Sequence, residues 1–425
     1  MRRAAYPHYV LAMLFVAYVF NFVDRQIVSI LAEPIRKDLG LSDTQLGVLA
    51  GTAFALFYAT LGIPIARLAD LWVRRHIIAI GLALWSAMTA ASGLAGSFAQ
   101  MLAARVGVGI GEAALSPPAH SLLSQYFPPE RRATALGIYS MGIHVGILFG
   151  VLAGGWLEQV WGWRNAFVVV GLPGVALAVL LWLTVREPPP TSHEAAPPVR
   201  EVVRYLWALR SFRHLSLATG LVAFAGYAFA SWAPTFLRRV HAMQGGEIGT
   251  KYGLALGLGG ALGSLLAGLL ADRLGRLDRR WWLWIPACAT VGPLPFTLAF
   301  LYARDVNTAL ALLGPGLVVA AMYQGPVFST VQTLAQERMR AVASGVLLFV
   351  INLIGLGLGP PTVGWLNDHV FAERGAAAVR DSLAGVLAAA GVWSLVHFLL
   401  GARHLRADLE AARQASRADA PRRSG

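Results

Sequence analysis

Charge is what this 425-residue chain has least of. Asp, Glu, Lys and Arg make up 13% of it, where soluble domains carry about 25%. With 56% hydrophobic residues and a mean hydropathy of +0.59, a soluble body could not bury the apolar surface, which excludes a soluble enzyme. Cysteine is nearly absent: Cys288 stands alone, excluding an internal disulfide and a multi-cysteine metal site. Lysine is scarce too, with Lys37 and Lys251 the only two among 35 basic residues. No phosphate-cradling glycine loop lies outside the apolar runs, which argues against direct ATP drive. No nucleophile or metal constellation stands out, so neither enzymatic activity nor a cofactor is expected.

What is present is a series of long apolar runs. A membrane helix needs about 20 such residues, and twelve candidates are found. The first six centre on Val10–Ile30, Gly47–Ile65, Ile77–Leu94, Leu102–Leu123, Ala135–Trp156 and Ala166–Leu183. The second six centre on Leu215–Leu237, Tyr252–Leu270, Trp282–Tyr302, Ala309–Phe328, Val342–Leu358 and Leu383–Leu400. The first run imitates a signal peptide over Tyr9–Val23, but no small-residue cleavage site follows and Asp24-Arg25 continue the same helix. It therefore reads as a span.

Basic residues cluster in alternate loops. With the N-terminus cytoplasmic, 24 of the 35 fall on the cytoplasmic side and nine on the other, while Arg25 and Arg105 lie inside spans. That bias predicts both termini inside. It also explains the formal net charge of +13 without nucleic acid. A proline-rich polar run, 186–200, cannot cross a bilayer and reads as a semi-stiff linker. The expected organisation is a six-helix bundle over 1–185, a cytoplasmic linker over 186–212, a second six-helix bundle over 213–403 and a cytoplasmic tail over 404–425.

The halves repeat each other. Ala66-Arg-Leu-Ala-Asp70-Leu-Trp-Val-Arg74-Arg75 follows the second span, and Gly268-Leu-Leu-Ala-Asp272-Arg273-Leu-Gly275-Arg276 follows the eighth. Gly155-Trp156-Leu157 ends the fifth span and Gly364-Trp365-Leu366 ends the eleventh. A parallel repeat of two six-span halves is a transporter architecture, with the substrate site between the halves near the midplane.

The Gly-x-x-x-Asp-Arg-x-Gly-Arg loop resembles the signature of the major facilitator superfamily. The copy at Gly268–Arg276 matches in full; the first departs at Ala66, Leu71 and Val73. Trp163-Arg-Asn-Ala-Phe167 is similar to the same superfamily. A narrower resemblance is to Spinster-type transporters. It rests on Asn21-Phe-Val-Asp-Arg25, Arg105 with Gly109-x-Gly-Glu-Ala113, Pro128-Pro-Glu-Arg-Arg132, Trp232-Ala-Pro-Thr-Phe236 and Asn352–Pro360. That resemblance implies an amphipathic, phosphate-bearing lipid as substrate. Similar patterns occur in organic-anion and sugar-acid facilitators. The superfamily also implies that Asp70, Arg74, Arg75, Asp272 and Arg276 form a cytoplasmic gate joining the halves while the cavity opens outward. Gly150–Gly155 resembles the superfamily's antiporter motif, but Val151 stands where proline is expected, which weakens a drug-antiporter reading.

Four ionisable residues sit within apolar runs: Asp24, Arg25, Arg105 and Glu112. A mid-helix charge costs about 2.5–3.5 kcal/mol on insertion scales, so such residues face the interior and have partners. Asp24 and Arg25 are adjacent, about 100° apart on a helix, so each should reach another helix. Arg105 and Glu112 lie seven apart on one face, about 10 Å along the axis. Pairs between the first and fourth spans are the natural solution, and in the superfamily these two spans line the central cavity. Arg25 and Arg105 would hold an anionic head group, since guanidinium suits phosphate and carboxylate; Asp24 and Glu112 would take and release protons. The alternative is a static network tying two helices together.

The second half offers no such charges. Tyr227, Ser231, Trp232, Tyr323 and Gln324 would line its wall of the cavity, aromatic and apolar against an ionic one. Glu33 and Asp43 flank the first outer loop and read as a solvated surface; His120 and His144 read as packing residues. Gly142, Gly146, Gly150 and Gly154 recur every four residues, which allows close helix packing.

The sequence thus predicts an all-α membrane protein of twelve transmembrane helices in two six-helix bundles. The expected function is secondary active transport of a lysophospholipid or related amphipathic anion by alternating access, proton-coupled through Asp24 and Glu112. The other readings are a drug or organic-anion and sugar-acid carrier of the same superfamily, or a non-transporting membrane sensor or enzyme. The expected setting is a monomer in the cell inner membrane, partnered by lipid bilayer, protons and an amphipathic small molecule.

Overall fold

The computed structural model describes residues 5–188, 198–336 and 339–418. Residues 189–197 of the expected linker and 419–425 of the tail lie outside these, as does the side chain of Asp70. Among the described residues the chain is all helix, with no strand. Among the described residues nine helical stretches are long and apolar enough to cross a membrane by length and composition. One of them, Thr134–Thr184, is two spans joined at Gly162, whose φ of 77° takes it out of the helix. The third span, Arg74–Ser92, and the fourth, broken between Phe98–Glu112 and Ser116–Tyr126, fall short of that measure. Together these account for the twelve spans read from the sequence.

Local chemistry sets the ends. The first span, Tyr6–Leu39, stops at Gly40, which takes the left-handed conformation (φ 64°) and donates its N–H to the Arg36 carbonyl. Two residues on, Ser42 and Gln45 form a reciprocal capping box that starts the second span. Pro128 and Pro129 open the fifth span, where a missing N–H costs nothing. The fourth span breaks just before Ser116-Pro117-Pro118, where proline rings cannot continue the preceding hydrogen-bond ladder. In the eleventh span, wide turns at Ile351–Leu356 and Leu366–Val370 flank Pro360 and Pro361.

The chain forms two compact units. The first comprises Met1–Ser192, Tyr227–Leu258 and Leu356–Leu383. Within it the glycines of the fifth span climb the first span in register: Gly142 meets Phe15 and Tyr18, Gly146 meets Val19 and Phe22, Gly150 meets Val23 and Gln26, and Gly154 meets Ile27 and Ile30. A Cβ on Gly146 would come within 2.6 Å of both the Phe22 Cβ and the Val19 carbonyl oxygen. Gly146→Val should therefore force backbone apart at a cost of about 1–3 kcal/mol, read as a lowered melting temperature in detergent; an unchanged midpoint would show that this contact yields freely. Two further close pairs are antiparallel. Gly47 and Gly51 of the second span abut Pro361, Pro360 and Leu356 of the eleventh, where Thr52 also donates to the Gly357 carbonyl at 2.7 Å. Gly245, Gly249 and Gly253 of the eighth span abut Gly155, Leu152 and Val151 of the fifth.

The second unit comprises His193–Gly226, Gly259–Gly355 and Ala384–Gly425. A short amphipathic helix, Val199–Ala208, buries Val202 and Leu206 there, and its Tyr205 hydroxyl donates to the Leu334 carbonyl at 3.0 Å. Asp408 accepts the backbone N–H of Ser211 at 2.7 Å, tying the start of the seventh span to the end of the twelfth. Gly259 and Gly263 of the eighth span pack on Leu317 and Val318 of the tenth.

Candidate functional site

The four charges of the first unit converge. The first span carries Asp24 and Arg25; the fourth carries Arg105 and Glu112 on one face. Asp24, Arg105 and Glu112 are each 1% exposed. Arg25 Nε donates to Glu112 Oε2 at 2.7 Å, the cross-helix pair expected from the spacing. Three aromatic rings receive the Arg25 guanidinium, with Phe22 at 5.0 Å and Phe54 and Tyr58 at 4.7 Å from its central carbon. Such contacts suit a guanidinium, which is planar and weakly hydrated. The Arg105 guanidinium lies 5.8 Å from the Phe54 ring and faces Glu112, Asp24 and Arg25. Its Nε and Nη1 have no hydrogen-bond partner among the described residues.

Asp24 and Arg25 point apart, as adjacent helical residues must. The Asp24 carboxyl lies beside Trp85 and Thr89 of the third span, and neither of its oxygens closes a hydrogen bond of good geometry. Tyr227, half-buried, comes near Arg25. Ser231 and Trp232 are buried, and the Trp232 indole N–H donates to the Pro360 carbonyl at 2.9 Å. Tyr323 and Gln324 belong to the second unit, at the turn that divides the tenth span; Gln324 Nε2 donates to the Tyr323 hydroxyl at 3.4 Å.

The loop residues are placed differently from one another. Arg74 is buried and held within the first unit by Glu187 at 2.6 Å, Gln125 at 2.7 Å and Ser121 at 2.9 Å. Arg75 donates to the Val185 carbonyl at 2.9 Å. Asp272 and Arg276 are exposed. The ion pair of that region is Asp278 with Arg406, at 2.7 Å. The Arg280 backbone N–H, with Arg406, holds the Asp278 carboxyl below its ordinary range.

Glu33 and Asp43 correct the sequence reading. They are not a wet loop: they are 4% and 6% exposed and make one buried cluster with the seventh and eleventh spans. Arg239 spans both, with Nε to Glu33 at 2.8 Å and its two terminal nitrogens to Asp43 at 2.6 and 2.7 Å. Arg36 adds a 3.0 Å bond to Glu33, and Asn367 donates to Asp43 at 2.9 Å. Asp368 caps the second span, accepting from Thr44 N–H at 2.7 Å and from its hydroxyl at 2.6 Å. Arg238 pairs with Glu158 of the fifth span at 2.9 Å. Arg239, Asn367 and Asp368 went unmarked in the sequence. One signal was available: Arg238 and Arg239 stand on the side where arginines are few, so each calls for a local carboxylate.

An all-helical chain of twelve apolar spans, with paired charges buried between its first and fourth, is a polytopic membrane transporter. It belongs to the major facilitator superfamily, whose sequence profile spans residues 14–360. An efflux pump of this superfamily from Mycolicibacterium smegmatis is 38% identical over 400 residues, 92% of each chain. The bovine protein spinster homolog 1 is 28% identical over 386 residues, 85% of this chain and 73% of its own. Among solved structures, a bacterial homologue of the human lysosomal transporter Spinster, in an inward-facing and unoccupied conformation, aligns with a TM-score of 0.84 at 33% identity. The alignment covers 95% of this chain and 98% of that one.

Proposed function

We propose that this transporter carries a lysophospholipid or related amphipathic anion across the cell inner membrane by alternating access, as a monomer with both termini cytoplasmic. The observation that carries this reading is the Arg25–Arg105 pair. One guanidinium pairs with Glu112 through its Nε and lies among three aromatic rings, and the other keeps two unpartnered nitrogens. Unpartnered guanidinium N–H groups in a low-dielectric setting suit phosphate. The nearby rings, with Tyr227, Ser231, Trp232, Tyr323 and Gln324, suit an apolar tail. The two six-span halves of the repeat, 1–185 and 213–403, are the moving bodies. Asp70, Arg74 and Arg75 with Asp272 and Arg276 form the inner latch when the cavity opens outward, Arg74 after leaving Glu187.

Transport is coupled to protons through Asp24 and Glu112. The exchange step is a change of pairing: when Glu112 loses Arg25 it can take a proton, and regaining the guanidinium expels it. A second reading, efflux of an amphiphilic drug, is favoured by the 38% identity to the mycobacterial efflux pump. Uptake of labelled lysophospholipid, sugar acid and amphiphilic drug into proteoliposomes, with and without a pH gradient, separates these readings. Lysophospholipid uptake should exceed the others and rise with the gradient. In the same assay Asp24→Asn and Glu112→Gln should each abolish the pH dependence while leaving expression intact; an unchanged pH response in both would remove the proton role.

A further inference from the structure

Asp24 and Glu112 differ in what surrounds them. Glu112 is closed onto Arg25. Asp24 points away from Arg25 and lies against the third span as well as against Arg105 and Glu112. The groups facing its carboxyl are Trp85 and Thr89 from the third span and Arg105 and Glu112 from the fourth; Asn21, one turn back on its own helix, faces Glu112. Both Asp24 oxygens, Asn21 Oδ1, Trp85 Nε1, Thr89 Oγ1 and Arg105 Nε and Nη1 lack hydrogen-bond partners among the described residues, and all belong to fully buried side chains. Buried polar atoms gathered this way call on one another or on ordered water as partners.

The third span gives this polar group a direction. Trp85, Thr89 and Ser92 lie at i, i+4 and i+7, hence on one face, and all three are fully buried. Ser92 is the last residue of its helix, followed by the exposed turn at Leu94. From Thr89 the outer end is three residues away, about 4.5 Å, whereas the helix start at Arg74 is fifteen residues away, about 22 Å. Threonine and serine hydroxyls both donate and accept, so each can pass a proton without changing charge, Ser92 by turning from the Met88 carbonyl to which it donates at 3.0 Å.

We infer that Asp24 exchanges its proton with the outer side through the interior of the first bundle, along Thr89 and Ser92 and the waters they hold, and not through the chamber of Arg25 and Glu112. A proton enters at Ser92, one leaves Thr89 for the carboxylate, and both hydroxyls are restored. Proton and substrate then have separate entrances to adjoining sites. This inference rests on the proton-coupled reading above.

The full chain in phosphatidylcholine vesicles provides the test. Infrared difference spectra across a pH step should contain a protonated-carboxyl band that is missing in Asp24→Asn, and its hydrogen–deuterium exchange rate is the readout. Thr89→Val combined with Ser92→Ala should slow that exchange by about tenfold, the effect of roughly one lost hydrogen bond. Thr89→Ser, which keeps the hydroxyl, should restore it. Unaltered exchange in the double variant would overturn the route alone. Absence of any band lost in Asp24→Asn would overturn the proton role of Asp24 and the route with it.

Discussion

Glu112→Ala should destabilise the protein by about 3–5 kcal/mol, the usual loss when one partner of a buried ion pair is removed. Arg25 is left behind with its guanidinium between three rings and no anion within reach. The variant should express poorly and melt well below the parent in detergent. Glu112→Gln should not, because its amide oxygen can still accept from Arg25 Nε. The double change Glu112→Ala with Arg25→Met should recover much of the loss, since a well-packed apolar pair often equals a buried ionic one. A melting temperature in Glu112→Ala equal to that of the parent would mean that the Arg25–Glu112 bond contributes nothing to the fold.

That bond illustrates what the sequence carries and what it withholds. Charges inside apolar runs stand out because membrane insertion makes them costly, so Asp24, Arg25, Arg105 and Glu112 were visible at once, and helix geometry alone separated Asp24 from Arg25. The spans were visible for the same reason. Glu33 and Asp43 were not. A carboxylate at the end of a span has the same local sequence whether water or arginine surrounds it, and its partner Arg239 is about two hundred residues away along the chain. The inward turn of Asp24 toward Thr89 was hidden likewise, because a lone threonine in an apolar helix carries no mark of what it faces. The bond from the Trp232 indole to the Pro360 carbonyl was hidden too, because it depends on the proline pair of another helix.

Arg239→Ala should open the outer end of the first unit. Three charge-assisted hydrogen bonds leave with the side chain, each worth about 1.5–3 kcal/mol. Their sum reaches the roughly 5.5 kcal/mol that carries a two-state equilibrium from 99:1 to 1:99. Glu33 and Asp43 would then be buried carboxylates left with Arg36, the more distant Lys37 and Asn367, and hydration is their remaining recourse. Spin labels at Lys37 and Val370, in a chain with Cys288 replaced by serine, should show a longer distance population in Arg239→Ala that is scarce in the parent. Arg239→Lys should fall between them, because an ammonium cannot bridge both carboxylates with the fixed fork of a guanidinium. Identical distance distributions in parent and Arg239→Ala would show that the cluster does not hold these ends together.

The four-rung seating of the fifth helix on the first restricts how either can move. Sliding one past the other would have to skip a whole rung, about 6 Å, because every intermediate offset drives a side chain into backbone. The two helices therefore travel as a single strut, and any rocking that drags the fifth helix must swing the Arg25 guanidinium by the same arc.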